Sequence, residues 1–328
     1  MSKIDVVLTW VDGADPEWLK EKSKHTGEKY DDDNINRYRD WGLLKYWFRS
    51  LEKFAPWVNK IHFITWGHLP DWLNTENEKL NIVNHRDYIP EKYLPVFSSH
   101  PIELNMWRID SLSEQFIYLN DDVYLINSVS PEDFFCGGLP VDNVTEVPLR
   151  FNEGGIDHII GNNMMVINKH FNKREVVRKN RKQWFSPSAP VSAFKNMYML
   201  PINGFSAFDN PHLSFSFLKS TMKELWEKEY ELFDNTCSHR FRSNEDVNPW
   251  LFRYWQFATG NFVQSKGLSG RIFSIGDHDA EIEKAMTEQH YQAICLSDND
   301  TELDFSKEQK FLEELFHKIL PKKSSFEK

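Results

Sequence analysis

The sequence predicts an α/β fold with a mostly parallel central sheet and flanking helices, and three observations carry that expectation. Short β-branched apolar runs alternate with amphipathic helical patterns through the first third of the chain. Two of those runs stop at acidic turn residues, Asp12-Gly13 and Asn120-Asp121-Asp122. The chain is 40% hydrophobic and 15% aromatic over 328 residues, enough to bury one large core.

Ile4-Asp5-Val6-Val7-Leu8-Thr9-Trp10 reads as a buried first strand ending in a turn. After a polar stretch from Glu21 to Asp33, Leu43, Leu44, Trp47, Phe48, Leu51 and Phe54 recur at helical spacing, with Pro56 beyond the end. Lys60 to Thr65 and Leu80 to Asn84 are the next strands, Ile102 to Leu112 a helix, and Gln115 to Leu119 a fourth strand. The second half is less regular. It offers helical patterns at Leu218 to Phe233, Glu245 to Phe257 and Glu308 to Leu320, and a strand at Arg271 to Ile275. With no internal repeat and no long linker, residues 1–328 read as one domain ending in an amphipathic helix near 306–320.

Composition excludes several classes. A formal net charge of -10 and a pI near 5.7 leave no broad electrostatic footprint for nucleic acid, although a local basic pocket for a phosphorylated ligand is compatible with them. The opening Met1-Ser2-Lys3 runs straight into a strand pattern, and no apolar run has the length of a membrane span, so a secreted or membrane-spanning protein is not expected. Cys136, Cys237 and Cys295 lie too far apart for a disulfide framework or zinc spacing, which suits a reducing cytoplasm and three buried or half-buried thiols.

The chemistry gathers at strand ends. Asp121 and Asp122 directly follow an apolar strand, where adjacent carboxylates can hold a hard cation against a pyrophosphate; the plain alternative is a turn. Trp10, Asp12 and Gly13 offer an indole, a carboxylate and a flexible backbone to a nucleotide, against the alternative of a core tryptophan and a turn. Asp40 is either the N-cap of the following helix or a catalytic carboxylate beside Arg37 and Arg39. His239, Arg240 and Arg242 precede Asn244-Glu245-Asp246, so a guanidinium here could bind phosphate, or the group could be a surface charge cluster. His212 is a lone histidine beside Pro211, with a pKa range suited to a general base.

Taken in order, these segments resemble the Stealth family of sugar-phosphate transferases. That family includes bacterial capsule and exopolysaccharide phosphotransferases and the catalytic subunit of the transferase that tags lysosomal enzymes. Ile4 to Gly13 resembles its first characteristic segment, and Arg37-Tyr38-Arg39-Asp40 through Val58 to Asp122 its second. Pro211-His212-Leu213 and Arg242 to Asp246 are similar to the third, and Arg271 to Asp277 to the short fourth. Trp41-Gly42 stands where many members carry an Asn and an acidic residue.

The resemblance implies a nucleotide-sugar transferase core of the GT-A kind. It implies transfer of a hexose-1-phosphate from a UDP-sugar to a polysaccharide or lipid-linked oligosaccharide hydroxyl, making a phosphodiester and releasing UMP. It assigns His212 or Asp40 as base, Arg242 as phosphate clamp, and Asp121, Asp122 and Asp277 to Mg2+ or Mn2+, and it sets Trp10, Asp12 and Gly13 against the nucleotide. A metal-dependent glycosyltransferase making a glycosidic bond is the alternative reaction, and a non-catalytic carbohydrate-binding protein rich in stacking aromatics a further one. The expected location is the cytoplasm, at the inner face of the plasma membrane if the C-terminal helix lies on lipid rather than on the core.

Overall fold

The computed structural model describes residues 3–25, 38–151, 156–298 and 303–328, which leaves Arg37 outside the described residues. In the first half, β1 (Ile4–Thr9), α1 (Pro16–Ser23), α2 (Leu44–Phe54), β2 (Ile61–Thr65), β3 (Leu80–Asn84), α3 (His85–Tyr88) and α4 (Ser99–Leu104) lead to β4 (Gln115–Leu119). Short strands follow: β5 (Val123–Leu125), β6 (Phe135–Cys136), β7 (Leu139–Asp142) and β8 (Glu146–Val147). The second half begins with α5 (Asp157–His170), α6 (Lys173–Lys179), α7 (Arg181–Trp184), α8 (Pro190–Met199), β9 (Ala207–Phe208), β10 (Ser214–Leu218), α9 (Lys219–Lys228) and α10 (Tyr230–Ser238). It closes with α11 (Trp250–Thr259), β11 (Val263–Gln264), β12 (Gly270–Ser274), α12 (Asp279–Glu288), β13 (Ala293–Ser297) and α13 (Phe305–Ile319).

The central sheet has the order β10-β4-β1-β2-β3, with β1 to β4 mutually parallel and β10 antiparallel at the edge. The chain steps outward from β1 to β3 and then returns to place β4 on the other side of β1. That reversal leaves a crevice beyond the carboxyl ends of β1 and β4, where open α/β sheets receive ligands. Both faces are covered. Val6 and Leu8 join Trp47, Phe48 and Phe63 on one side, whereas Val7 joins Ile64, Phe116 and Phe217 on the other. Double coverage explains why β1 reads as a nearly continuous apolar run rather than an alternating one.

Several sequence expectations shift at their boundaries. The helix expected over Ile102 to Leu112 is α4 and a single 3-10 turn, Met106–Arg108, parted at Asn105. Asn105 turns its amide to Pro101 O and Cys237 Sγ, a local bond that competes with helix continuation. The pattern from Leu218 to Phe233 divides into α9 and α10 at Glu229, whose buried carboxylate binds Lys169 and His170. The pattern from Glu245 begins its helix only at Trp250, because Pro249 precedes it. Asp40 does not cap α2: Leu43 holds that position, and Asp40 Oδ1 instead accepts from the Gly42 amide. Cys136 is exposed, unlike Cys237 and Cys295.

The C-terminal helix lies on the protein's own core. Leu312, Leu315 and Phe316 are buried, and Phe316 packs on Tyr46 and Tyr124. Beyond α13, Glu327 takes both forks of the Arg49 guanidinium at 2.7 Å, fastening the chain end to α2. Among the described residues no helix is long and apolar enough to cross a membrane.

Candidate active site

A cavity of about 670 Å³ opens at the sheet's topological reversal, lined by Thr9 and Trp10 from the end of β1 and by Tyr118, Asn120, Asp121 and Asp122 from the end of β4. Because β10 is antiparallel to β4, with Ser214 opposite Leu119, the residues entering β10 arrive where β4 ends. His212 therefore meets the acidic turn, its Nε2 3.6 Å from Asp122 Oδ2. It does so at φ 37°, a left-handed backbone that non-glycine residues rarely adopt. The β12-β13-β5 sheet closes the other flank: Cys295 pairs with Val123, and the Leu296 amide donates to Asp122 O at 2.9 Å.

Three carboxylates repel one another here. Asp121 is exposed to the cavity, yet the protein surrounding it, with Asp122 and Asp40 close by, pushes its carboxyl up to about 7. The same enclosure raises Asp40, with Asp12 adding to the effect. Burial alone would lower the His212 imidazole, but the Asp122 carboxylate more than offsets this and raises it. Asp122 Oδ1 is buried and has no hydrogen-bond partner. Among the described residues, Asp122, His212 and Cys295 place one donor atom each within 4.8 Å of one another. Burial pushes the Cys295 thiol up, and it donates to Asp122 Oδ2 at 3.4 Å. Asp121 and Asp122 both line the cavity and offer carboxylate oxygens, the donor type that hard divalent cations take.

Another part of the cavity lining carries a cation held from behind. Arg242 lines the cavity and donates from Nη2 to Ser99 Oγ at 3.2 Å. Its loop is anchored by fully buried Asp246, which accepts from the Ser243 amide at 3.0 Å and lies 2.8 Å from His100 Nδ1 and 2.7 Å from His239 Nδ1. Burial would raise Asp246, yet His100 and His239 lower it below the ordinary carboxylate range. The triplet Asn244-Glu245-Asp246 is thus a brace for Arg242 rather than the opening turn of a helix. His239 belongs to that brace, while neither it nor Arg240 is among the lining residues. At the floor, the Tyr118 hydroxyl donates to buried Glu103 at 2.7 Å and lies 3.0 Å from Thr9 Oγ1.

The remaining predicted residues divide. Asp40, Asp121, Asp122, His212, Arg242 and Trp10 all line the cavity. Trp10 is 8% exposed and stacks on Phe63, so it is equally a core residue. Asp12 and Gly13 are not among the lining residues: Asp12 accepts from the Ala14 amide, and its own amide donates to His68 Nε2 at 2.8 Å. A Cβ on Gly13 would stand 2.0 Å from Tyr38 O, so this glycine permits the close approach of the segment that carries Arg39, Asp40 and Trp41. Asp277 is exposed on the turn after β12 and is also not among the lining residues. Asp298, directly beyond β13, lines the cavity instead. It receives the Trp41 indole N–H at 3.2 Å and lies 3.5 Å from Arg39 Nε. Ala293 to Ser297 followed by Asp298 repeats the pattern of an apolar run ending in an acid that marked Asp121, and that was the signal available in the sequence.

Sequence comparison matches residues 2–30 to Stealth protein CR1, conserved region 1, and residues 37–140 to Stealth protein CR2, conserved region 2. The capsular polysaccharide phosphotransferase WcwK of Streptococcus pneumoniae is 39% identical, across 100% of this chain and 99% of its own. The receptor polysaccharide phosphotransferase WefC of Streptococcus oralis is 38% identical over 100% of both chains. The exopolysaccharide phosphotransferase cps2G of Lactiplantibacillus plantarum is 36% identical over 99% of this chain and 96% of its own. Among solved structures, the galactosyltransferase LgtC, in complex with donor and acceptor sugar analogs, covers 98% of both chains at 9% identity, but with a TM-score of only 0.40. Full-length identity of this order to several phosphotransferases, with both conserved regions in place, shows that the chain is a transferase belonging to the Stealth family.

Proposed function

We propose that this cavity transfers a hexose-1-phosphate from a UDP-hexose to a hydroxyl of a capsular or exopolysaccharide repeat, forming a phosphodiester and releasing UMP. The observation that carries the reading is the presence of Asp122-held His212 and braced Arg242 in one crevice at the sheet's reversal. The imidazole of His212, with Nε2 held towards Asp122, takes the acceptor hydroxyl's proton. The freed oxygen bonds to the phosphorus bearing the sugar, and the bond from that phosphorus to the bridging oxygen breaks, so that UMP leaves with the electron pair. Arg242 stands against the non-bridging oxygens, where charge is concentrated during phosphoryl transfer. Asp121 and Asp122 are the side chains fitted to Mg2+ or Mn2+, which when bound supplies positive charge to the diphosphate. Asp298 and Arg39 stand at the same cavity and extend its charged lining.

The test is the nucleotide released when purified protein meets Mg2+, a panel of UDP-hexoses and a polysaccharide acceptor. Acceptor-dependent UMP with a phosphodiester-linked hexose, lost in His212→Ala and Arg242→Ala, is the expected result. Release of UDP with a glycosidic product would replace this reading by a glycosyltransferase.

A further inference from the structure

An inverted helix stands on the surface of the second half. On α8, the side facing the protein is partly polar: Ser192 accepts from the Thr145 hydroxyl at 2.7 Å, and Asn196 bonds the Glu146 amide, Val144 O and Trp184 O. The side facing water is apolar, with Val191 68%, Phe194 65%, Met197 54% and Tyr198 77% exposed. A soluble helix ordinarily shows the reverse arrangement, and an outward apolar face at this spacing marks a contact surface. Two basic helices border it. Lys173 at the start of α6 donates to Met199 O at 2.6 Å, and Trp184 of α7 receives the Asn196 amide, so both pack beside α8. Arg174, Arg178, Lys179, Arg181 and Lys182 are all exposed there, with Glu175 the only acid between Lys173 and Lys182. This cationic cluster belongs to a chain of net charge -10.

We infer that α8 and the basic α6–α7 pair dock the protein on a bilayer surface carrying anionic headgroups, with the apolar side chains in the interfacial layer and the guanidinium and ammonium groups on the phosphates. Apolar anchors flanked by cations are what an interfacial helix requires. A second copy of the chain fits less well, since a two-fold contact through this face would set one cationic cluster against another. The inference is independent of the reaction proposed above, because none of these side chains lines the cavity.

Co-sedimentation of the full chain with vesicles tests it, using phosphatidylglycerol mixed with phosphatidylcholine against phosphatidylcholine alone. Wild type is expected to pellet with the anionic vesicles, less so as salt rises, and to remain in solution with the neutral ones. Phe194→Glu/Tyr198→Glu and, separately, Lys179→Glu/Lys182→Glu should stay in solution at unchanged unfolding temperature while retaining transfer to a soluble acceptor. Removing each cation alone is worth about fivefold in binding. Should the apolar-face variant misfold, Phe194→Ser and the lysine pair carry the same test. The inference falls if wild type ignores anionic vesicles, if it binds neutral ones equally, or if sedimentation velocity finds a dimer that Phe194→Ser dissolves without any vesicle binding.

Discussion

At the scale of single residues, the acidic turn sets the terms. Asp121 is held at about 7, so below that pH it carries a proton that a cation must displace. Mn2+ affinity measured by titration calorimetry should therefore increase from pH 6 to pH 8 and lose that dependence in Asp121→Asn. A carboxyl raised in the folded state weakens folding as pH climbs from its unfolded value towards 7, so the metal-free Asp121→Asn protein should melt higher than wild type at pH 8 and equally at pH 4, while losing activity. Asp5 is the opposite case. Burial would raise it, but His62, Asn59 and the Ser113 amide draw it down to about 2. Its contribution is fully present above the unfolded carboxyl's pKa near 4 and disappears as pH falls through about 2, for a total of about 2 kcal/mol. Asp5→Asn turns one acceptor into a donor facing another donor, so chemical denaturation at pH 6 should show roughly that loss, narrowing towards pH 2. Gly13→Ala drives a methyl into Tyr38 O and displaces the Arg39–Trp41 segment; kcat should fall while the melting temperature moves by only a few degrees, at a strain of about 1–3 kcal/mol.

Among the elements, β10 matters most for the proposed chemistry, and the pairing of Glu327 with α2 for stability. The antiparallel edge strand delivers His212 to a turn lying about ninety residues earlier, and no local pattern around His212 reports that. Behind it, the Asp246 brace keeps Arg242 in the cavity wall. If Arg242 has the proposed role, Asp246→Asn should lower kcat more than it raises KM, because it loosens the loop that carries that guanidinium. Further along α2, outside the cavity lining, Glu327→Ala strands the buried Arg49 guanidinium. The expected destabilisation is about 3–5 kcal/mol by denaturant titration.

For the whole molecule, the two halves of the chain share one sheet: β10 comes from the second half and lies against β4 from the first. Apolar clusters on opposite faces of that sheet each draw on both halves. Calorimetry should accordingly show one transition in which calorimetric and van't Hoff enthalpies agree, and two resolved transitions would divide the chain into separate domains.

The parallel sheet, its first four strands and the acid pair at the end of β4 are legible in the residues alone. Those features rest on short-range patterns, in which apolar runs of strand length stop at turn residues. The sequence also holds the family segments through which Asp40, His212 and Arg242 were singled out, and the cavity contains all three. It takes the folded chain to show that Gly13 spaces two segments, that Asp298 rather than Asp277 lies at the cavity, and that Asp246 is a buried brace. Folding also turns the apolar face of α13 inward and that of α8 outward. Periodicity states that a helix has an apolar face, and a strand end states that an acid is available, but which surface each one meets depends on contacts between residues far apart in the chain.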